Sequence, residues 1–263
     1  MTTDHLTDNR PLRHGLHAAS KVPEVTVYFW IIKVLTTGMG ETASDYLAHV
    51  FGPIPAVGLG GIGLVAALVV QFAARRYLAW IYWTAIVMVS VFGTMAADVL
   101  HVGLGVPYAL STPFFIAALA AVFALWYRSE GTLSIHSIRT RRREIFYWAA
   151  VLATFALGTA AGDLTATMGL GYLGSAILYA AAIAVPAAAH RWGGLNAVVA
   201  FWAAYVITRP LGASVADWMA VGRGRGGLDL GLGPVTLSWT VAILGFVGYL
   251  AASRKDIRHD VVL

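Results

Sequence analysis

Cysteine is absent from the 263 residues, and charged residues are scarce, at 12% of the chain. The absence of cysteine excludes disulfides, thiolate metal ligands and thiol redox chemistry. The low charge, together with 59% hydrophobic residues and a mean hydropathy of +0.72, excludes an ordinary soluble domain. These values predict a membrane protein with several spans. Phosphate-binding loops and the GxSxG and HExxH motifs are also missing, so we expect no enzyme activity. Paired acids, as in an intramembrane aspartyl protease, are the one catalytic arrangement left open.

One spacing occurs four times along the chain: Trp-x9-Gly-x4-Asp, with an aromatic residue before each Trp. The first copy lies within Glu24 to His49, a stretch apolar enough to span a bilayer that also carries charged residues. The four copies are Trp30/Gly40/Asp45, Trp83/Gly93/Asp98, Trp148/Gly158/Asp163 and Trp202/Gly212/Asp217. Four copies without a gap predict four structural repeats of two helices each.

The predicted fold class is therefore all-α: a polytopic membrane protein with eight transmembrane helices, arranged as four parallel helix-hairpin repeats. We expect one membrane domain over residues 24–253, between an N-terminal tail of residues 1–23 and a C-terminal tail of residues 254–263. The predicted repeats cover residues of about 24–76, 77–128, 145–191 and 194–253. The predicted spans are about 24–49, 56–74, 77–101, 106–127, 145–167, 171–189, 194–220 and 233–252.

The basic residues predict the orientation. The formal charge is +5, but all except four of the 18 Lys and Arg residues lie in the tails or between repeats. The four exceptions are Lys33, Arg209, Arg223 and Arg225. This is a membrane-topology pattern rather than a nucleic-acid footprint, so we expect no nucleic-acid partner. By the positive-inside rule, we expect both tails and all loops between repeats to be cytoplasmic. The expected partners are the lipid bilayer, a cation or small solute and, as an open case, further copies of the chain.

Each repeat places an Asp 15 residues after its Trp, which is roughly 22 Å along a helix. If the Trp rings anchor near the cytoplasmic interface, the Asp side chains lie in the outer third of a roughly 30 Å apolar core. Intramembrane acids are expensive and usually functional. The predicted cation-binding set is Glu41, Asp45, Asp98, Asp163 and Asp217, and the predicted interface anchors are Trp30, Trp83, Trp148 and Trp202.

Two bases, Lys33 and Arg209, lie inside the predicted spans and are the expected counter-ions. Five acids and two bases leave a net charge of −3 if all ionise. Buried carboxylates without partners either take up protons or bind a cation. Two histidines follow the first two aspartates closely, and carboxylate with imidazole suits Mn, Fe, Co or Zn. The predicted metal set is Glu41, Asp45, His49 and His101. No resident cofactor is expected, and a divalent metal would be the substrate.

A structural interpretation of the same residues stays open. Each Asp could cap the next helix or hydrogen-bond to the neighbouring repeat. The two bases could form static salt bridges, the two histidines could be solvated, and the Trp rings could pack inside the protein.

The stretch KVPEVTVYFWIIKVLTTGMGETASDYL, with the four Trp residues, resembles a family of bacterial membrane proteins. Its members are built from four tandem copies of a repeat of unknown function, each with two transmembrane helices and a characteristic Trp. The resemblance extends from about Lys21 to Ser253, and the later copies lack Lys33 and Glu41. It implies the fold and a location in the bacterial inner membrane, and no activity.

The expected function is therefore a cation transporter or exporter, for a divalent metal such as manganese or coupled to protons, that uses the carboxylate cluster. A proton-coupled carrier of a small organic solute is the first alternative. A non-transporting scaffold or sensor with structural acids is the second, and a channel with a ring of aspartates is a further one.

Overall fold

A computed structural model describes residues 20–257. Residues 1–19 and 258–263, which include most of both predicted tails, lie outside the described part. The described residues form α-helices and short turns, without a strand. The helices are α1 (Val27–Phe51), α2 (Pro53–Ala73), α3 (Ala79–Asp98), α4 (Tyr108–Glu130), α5 (Arg141–Thr165), α6 (Gly171–Trp192), α7 (Ala197–Ala220) and α8 (Leu232–Ser253). The all-α prediction is confirmed, and each predicted span coincides with one helix to within a few residues.

Six helical segments of the described chain are long and apolar enough to cross a membrane, fewer than the eight spans predicted. Two features account for the difference. Helices α5 and α6 are joined by a π-helical turn, Ala166–Leu170, and count as one segment of 52 residues. Helix α1 is not among the six because Lys33, Glu41 and Asp45 lower its apolar character.

The first helices of the four repeats form a closed ring. Helix α1 packs on α3, α3 on α5, α5 on α7, and α7 on α1. The second helices lie outside this ring, and each packs mainly on the ring helix of the following repeat: α2 on α3, α4 on α5, α6 on α7 and α8 on α1. The two helices of one repeat therefore touch each other less than they touch the next repeat.

An aromatic layer closes one end of the ring, which we call the tryptophan end. The aromatic residue before each Trp contacts the Trp of the next repeat, and the fourth repeat contacts the first. The ring centroids are 5.7 Å apart for Phe29–Trp83, 5.7 Å for Tyr82–Trp148, 6.2 Å for Tyr147–Trp202 and 5.7 Å for Phe201–Trp30. All four ring helices begin at this end, so the ring helices are parallel.

This layer corrects the predicted role of the Trp residues. Trp83, Trp148 and Trp202 are 1%, 4% and 5% exposed, and Trp30 is half-buried. An interface anchor must present its indole to the lipid headgroups, and three of these rings are enclosed by the neighbouring repeats instead. They stabilise the ring by aromatic packing.

The repeat glycines mark where neighbouring ring helices cross. Each glycine faces the residue that lies three positions before the glycine of the next repeat, and the last repeat again meets the first. The contacts are Gly40 with Ser90, Gly93 with Phe155, Gly158 with Arg209, and Gly212 with Thr37. A Cβ atom at any of the four glycines would clash with its neighbour, so the spacing of the motif reflects close helix approach.

A segment before α1 ties the tryptophan end together. The Tyr77 amide donates to the Ser20 carbonyl, the Lys21 amide to Ile138, and the Glu24 amide to Asp256. The Tyr77 hydroxyl also hydrogen-bonds to the Asp256 carboxyl group, and burial raises the pKa of both groups. Four sequence regions that are far apart in the chain therefore meet at this end.

Candidate functional site

A buried ion pair lies at the centre of the ring. Arg209 Nη2 of α7 is 2.7 Å from Glu41 Oε2 of α1, and the two residues are 0% and 4% exposed. Arg209 Nη1 donates to the Thr37 carbonyl at 3.1 Å. The predicted counter-ion role of Arg209 thus corresponds to a direct contact with Glu41. Removing either partner would leave a buried charge without compensation.

Two threonines complete the surroundings of this pair. Arg209 Nη2 donates to Thr159 Oγ1 at 2.8 Å and also to Thr94 Oγ1. Both threonines are buried, and each also lies within 3.4 Å of Glu41 Oε2. One guanidinium nitrogen therefore meets oxygens from three of the ring helices.

Lys33 has a different environment from the one predicted for a counter-ion. Its side chain is fully buried, and its amino group has no hydrogen-bond partner among the described residues. The Nζ atom lies 4.0 Å from the ring centroid of Phe155 and 4.2 Å from that of Tyr205. The amino group therefore contacts the faces of two aromatic rings, and no carboxylate of the described residues forms an ion pair with it.

The four repeat aspartates converge at the other end of the ring, which we call the aspartate end. Each of them lies within range of a direct charge–charge interaction with Glu41. Asp163 is also within this range of Asp45, Asp98 and Asp217. Asp217 is 7% exposed and the other three are half-buried. Arg225, in the turn that follows α7, is an exposed base within electrostatic range of Asp45.

The predicted metal set is not assembled. His49 is exposed at the end of α1. Both ring nitrogens of His101 have other partners: Nδ1 is 2.8 Å from the carbonyl oxygen of Val106, in the α3–α4 connection, and Nε2 is 3.0 Å from Ser111 Oγ of α4. Among residues 20–257, no group of three or more His, Asp or Glu side chains is placed to hold a metal ion. Spacing along one helix could not reveal that His101 is paired with Ser111 and the Val106 carbonyl.

The comparison with known families rests on the repeat itself. A family model described as Repeat of Unknown Function (DUF347) matches four times, at residues 28–77, 81–132, 146–193 and 200–256. The chain belongs to this family. No curated protein and no solved structure matches it.

Alignment of the four DUF347 repeats on their glycines explains the centre of the ring. The position directly after the glycine holds Glu41, Thr94 and Thr159 in the first three repeats, and these are the residues that contact Arg209. Neither threonine was among the predicted site residues, because neither is ionisable. Their shared position with Glu41 was the signal that could have identified them.

A second column of the DUF347 repeats lies one turn towards the tryptophan end. Three residues before the glycine, the four repeats have Thr37, Ser90, Phe155 and Arg209. Each of these residues packs against the glycine of the preceding repeat, where two ring helices cross. The ring therefore has one arginine, one phenylalanine and two small hydroxyl residues at this level.

Proposed function

We propose that the chain spans the bacterial inner membrane eight times, with both termini in the cytoplasm, the tryptophan end inside and the aspartate end outside. The outer helices support this proposal because large apolar side chains on them face away from the ring. Examples are Ile54, Ile62, Leu110, Phe114, Ile177, Val185, Leu237 and Val241, which are 60–87% exposed. A surface helix of a water-soluble protein has a polar face along its length, and these outer helices do not.

Single-cysteine labelling tests this orientation directly, because the natural chain has no cysteine. Arg139→Cys lies in the loop between α4 and α5, and Met168→Cys lies in the turn between α5 and α6, where Met168 is 74% exposed. A membrane-impermeant maleimide added to intact spheroplasts should label Met168→Cys and leave Arg139→Cys unlabelled until the membrane is permeabilised. The reverse pattern would contradict the orientation, and labelling of both sites in intact spheroplasts would contradict the span count.

We further propose that the protein transports a cation, coupled to protons, and that the aspartate end is where the cation enters or leaves. The observation that carries this proposal is the convergence of four carboxylates, one from each repeat, next to an ion pair that already satisfies Glu41. Asp45, Asp98, Asp163 and Asp217 have no such partner among the buried bases. A negative cluster of this kind attracts cations and holds protons. The cation would be bound by these carboxylates together with water.

Cation flux into proteoliposomes tests the proposal. Wild-type protein should move at least one of Mn²⁺, Zn²⁺, Co²⁺, Mg²⁺ or Ca²⁺, or an organic ammonium ion, faster than protein-free liposomes. Replacing both Asp98 and Asp163 with Asn should reduce that flux by about 10–100-fold, the effect of losing an interaction worth roughly 1.5–3 kcal/mol with a charged group. The matched control is Asp229→Asn, which changes an exposed acid in the turn after α7 and should leave the flux unchanged.

Two outcomes would contradict this function. Full flux in the Asp98/Asp163 double variant would show that these two carboxylates are not part of the transport pathway. A wild-type protein that moves none of these ions, with an Asp-to-Asn variant that is only less stable, would favour the scaffold or sensor alternative.

A further inference from the structure

The axis of the ring contains two polar regions that are separated by one aromatic side chain. The region near the aspartate end comprises the four aspartates and the pair of Glu41 with Arg209. The region near the tryptophan end begins at Lys33 and continues with buried tyrosines. Phe155 lies between the two regions: its ring centroid is 4.0 Å from Lys33 Nζ and 5.3 Å from the guanidinium carbon of Arg209.

Buried tyrosines extend from Lys33 to the tryptophan end. The ring of Tyr205 contacts Lys33, and its hydroxyl is buried without a hydrogen-bond partner among the described residues. The Tyr147 hydroxyl is hydrogen-bonded to that of Tyr82. The Tyr82 ring is 5.6 Å from the ring of Tyr77, whose hydroxyl contacts the Asp256 carboxyl group. All three of Tyr82, Tyr147 and Tyr205 are at most 1% exposed. A row of hydroxyls this deep inside an apolar bundle is costly unless the groups serve a purpose.

The environment of the Lys33 amino group also indicates a function. A fully buried amino group that donates no hydrogen bond is unfavourable. It faces Phe155 and Tyr205, and the Arg209 guanidinium lies over the same Phe155 ring. A Met at this position would pack against the same rings without that cost. The amine therefore has a role that apolar packing does not supply, and an amine can accept and release a proton.

We infer that the ring axis is a proton pathway that Phe155 closes in this conformation, with Lys33 as the proton carrier directly below the closure. An apolar ring at a narrow point excludes water and so blocks proton movement until it moves aside. The inference rests on the proposed function only in taking the chain to span a membrane.

The proton balance of one passage is simple. A carboxyl group at the aspartate end releases a proton, which crosses the level of Phe155 through water when the ring moves aside. The Lys33 amine binds this proton and becomes an ammonium group. The ammonium group then passes one proton through water and the tyrosine hydroxyls to the tryptophan end, which restores the amine. The carboxylate takes up a new proton from the aspartate side.

Phe155→Ser tests the closure, because the ring neighbour α3 already has Ser90 at the equivalent position. Purified variants are reconstituted in liposomes that contain a pH-sensitive dye, and an imposed pH gradient is followed with valinomycin and potassium present to clamp the membrane potential. The gradient should collapse at least about tenfold faster with Phe155→Ser than with the wild type, since removing an apolar barrier acts exponentially on the rate. The matched control Phe155→Leu keeps an apolar side chain and should retain the wild-type rate. If Phe155→Ser does not elute as a folded protein in size-exclusion chromatography, Phe155→Thr, which matches Thr37, is measured instead.

Lys33→Met tests the carrier in the same assay. Added to Phe155→Ser, it should return the collapse of the gradient to the wild-type rate, whereas the exposed control Lys255→Met should not. A leak that persists without Lys33 would overturn the carrier, and a folded Phe155→Ser protein without a leak would overturn the closure. Because the assay contains no cation substrate, a leak without cation flux would refute the transport proposal alone. Cation flux without a leak in any variant would refute this inference alone.

Discussion

Replacing Arg209 with Met alone should lower the free energy of unfolding by about 3–5 kcal/mol, because Glu41 would be left as an uncompensated buried charge. The loss is expected in chemical or thermal unfolding of the detergent-solubilised protein. The double variant Glu41→Gln with Arg209→Met should recover most of that stability, since it removes both charges and keeps similar side-chain volumes.

Arg191→Met is the matched control for this experiment. Arg191 is exposed in the last turn of α6 and lies outside the ring, so its loss should change stability by less than about 0.5 kcal/mol. If Arg209→Met is as stable as Arg191→Met, the ion pair does not hold the ring together. If the double variant is no better than the single one, the threonine contacts of Arg209 are more important than its charge.

Gly40→Ala is expected to have a comparably large effect for a purely steric reason. A Cβ atom at Gly40 would lie 2.9 Å from the backbone carbonyl carbon of Ser90, so α1 and α3 would have to separate. Overpacking costs about 1–3 kcal/mol where side chains can adjust, and more where backbone is involved. Gly245→Ala in α8 is the control, since nothing lies within 4 Å of its added methyl group. That substitution should be neutral or stabilising by up to about 1 kcal/mol, because alanine is the better helix former. Equal unfolding midpoints for the two variants would contradict the close crossing of α1 and α3.

The repeat could be read from the sequence because its three key residues have constant spacing. Trp, Gly and Asp each form one layer of the ring, and the spacing of ten and five residues sets the distance between the layers. The approximate boundaries of the helices were predictable for a different reason. Apolar stretches are separated by basic loops between repeats and by turns within them.

The side-chain contacts across the ring could not be read in this way. Glu41 and Arg209 are 168 residues apart in sequence, and their contact depends on the first repeat closing on the fourth. Lys33 and Arg209 were predicted to act alike because both are buried bases, yet one meets a carboxylate and the other meets two aromatic rings. The burial of the Trp rings was also missed, because an aromatic residue at a helix end has the same pattern whether it faces lipid or a neighbouring repeat.

The closed ring also explains why a single chain is used. A ring of four separate, identical hairpins would place the same residue on the axis four times, so it would hold either four arginines at one level or none. Four arginines at one level would repel one another. Joining the four copies in one gene frees each copy to diverge by itself. The centre can then hold one acid, one guanidinium, one amine and one aromatic ring within a scaffold that is still nearly four-fold.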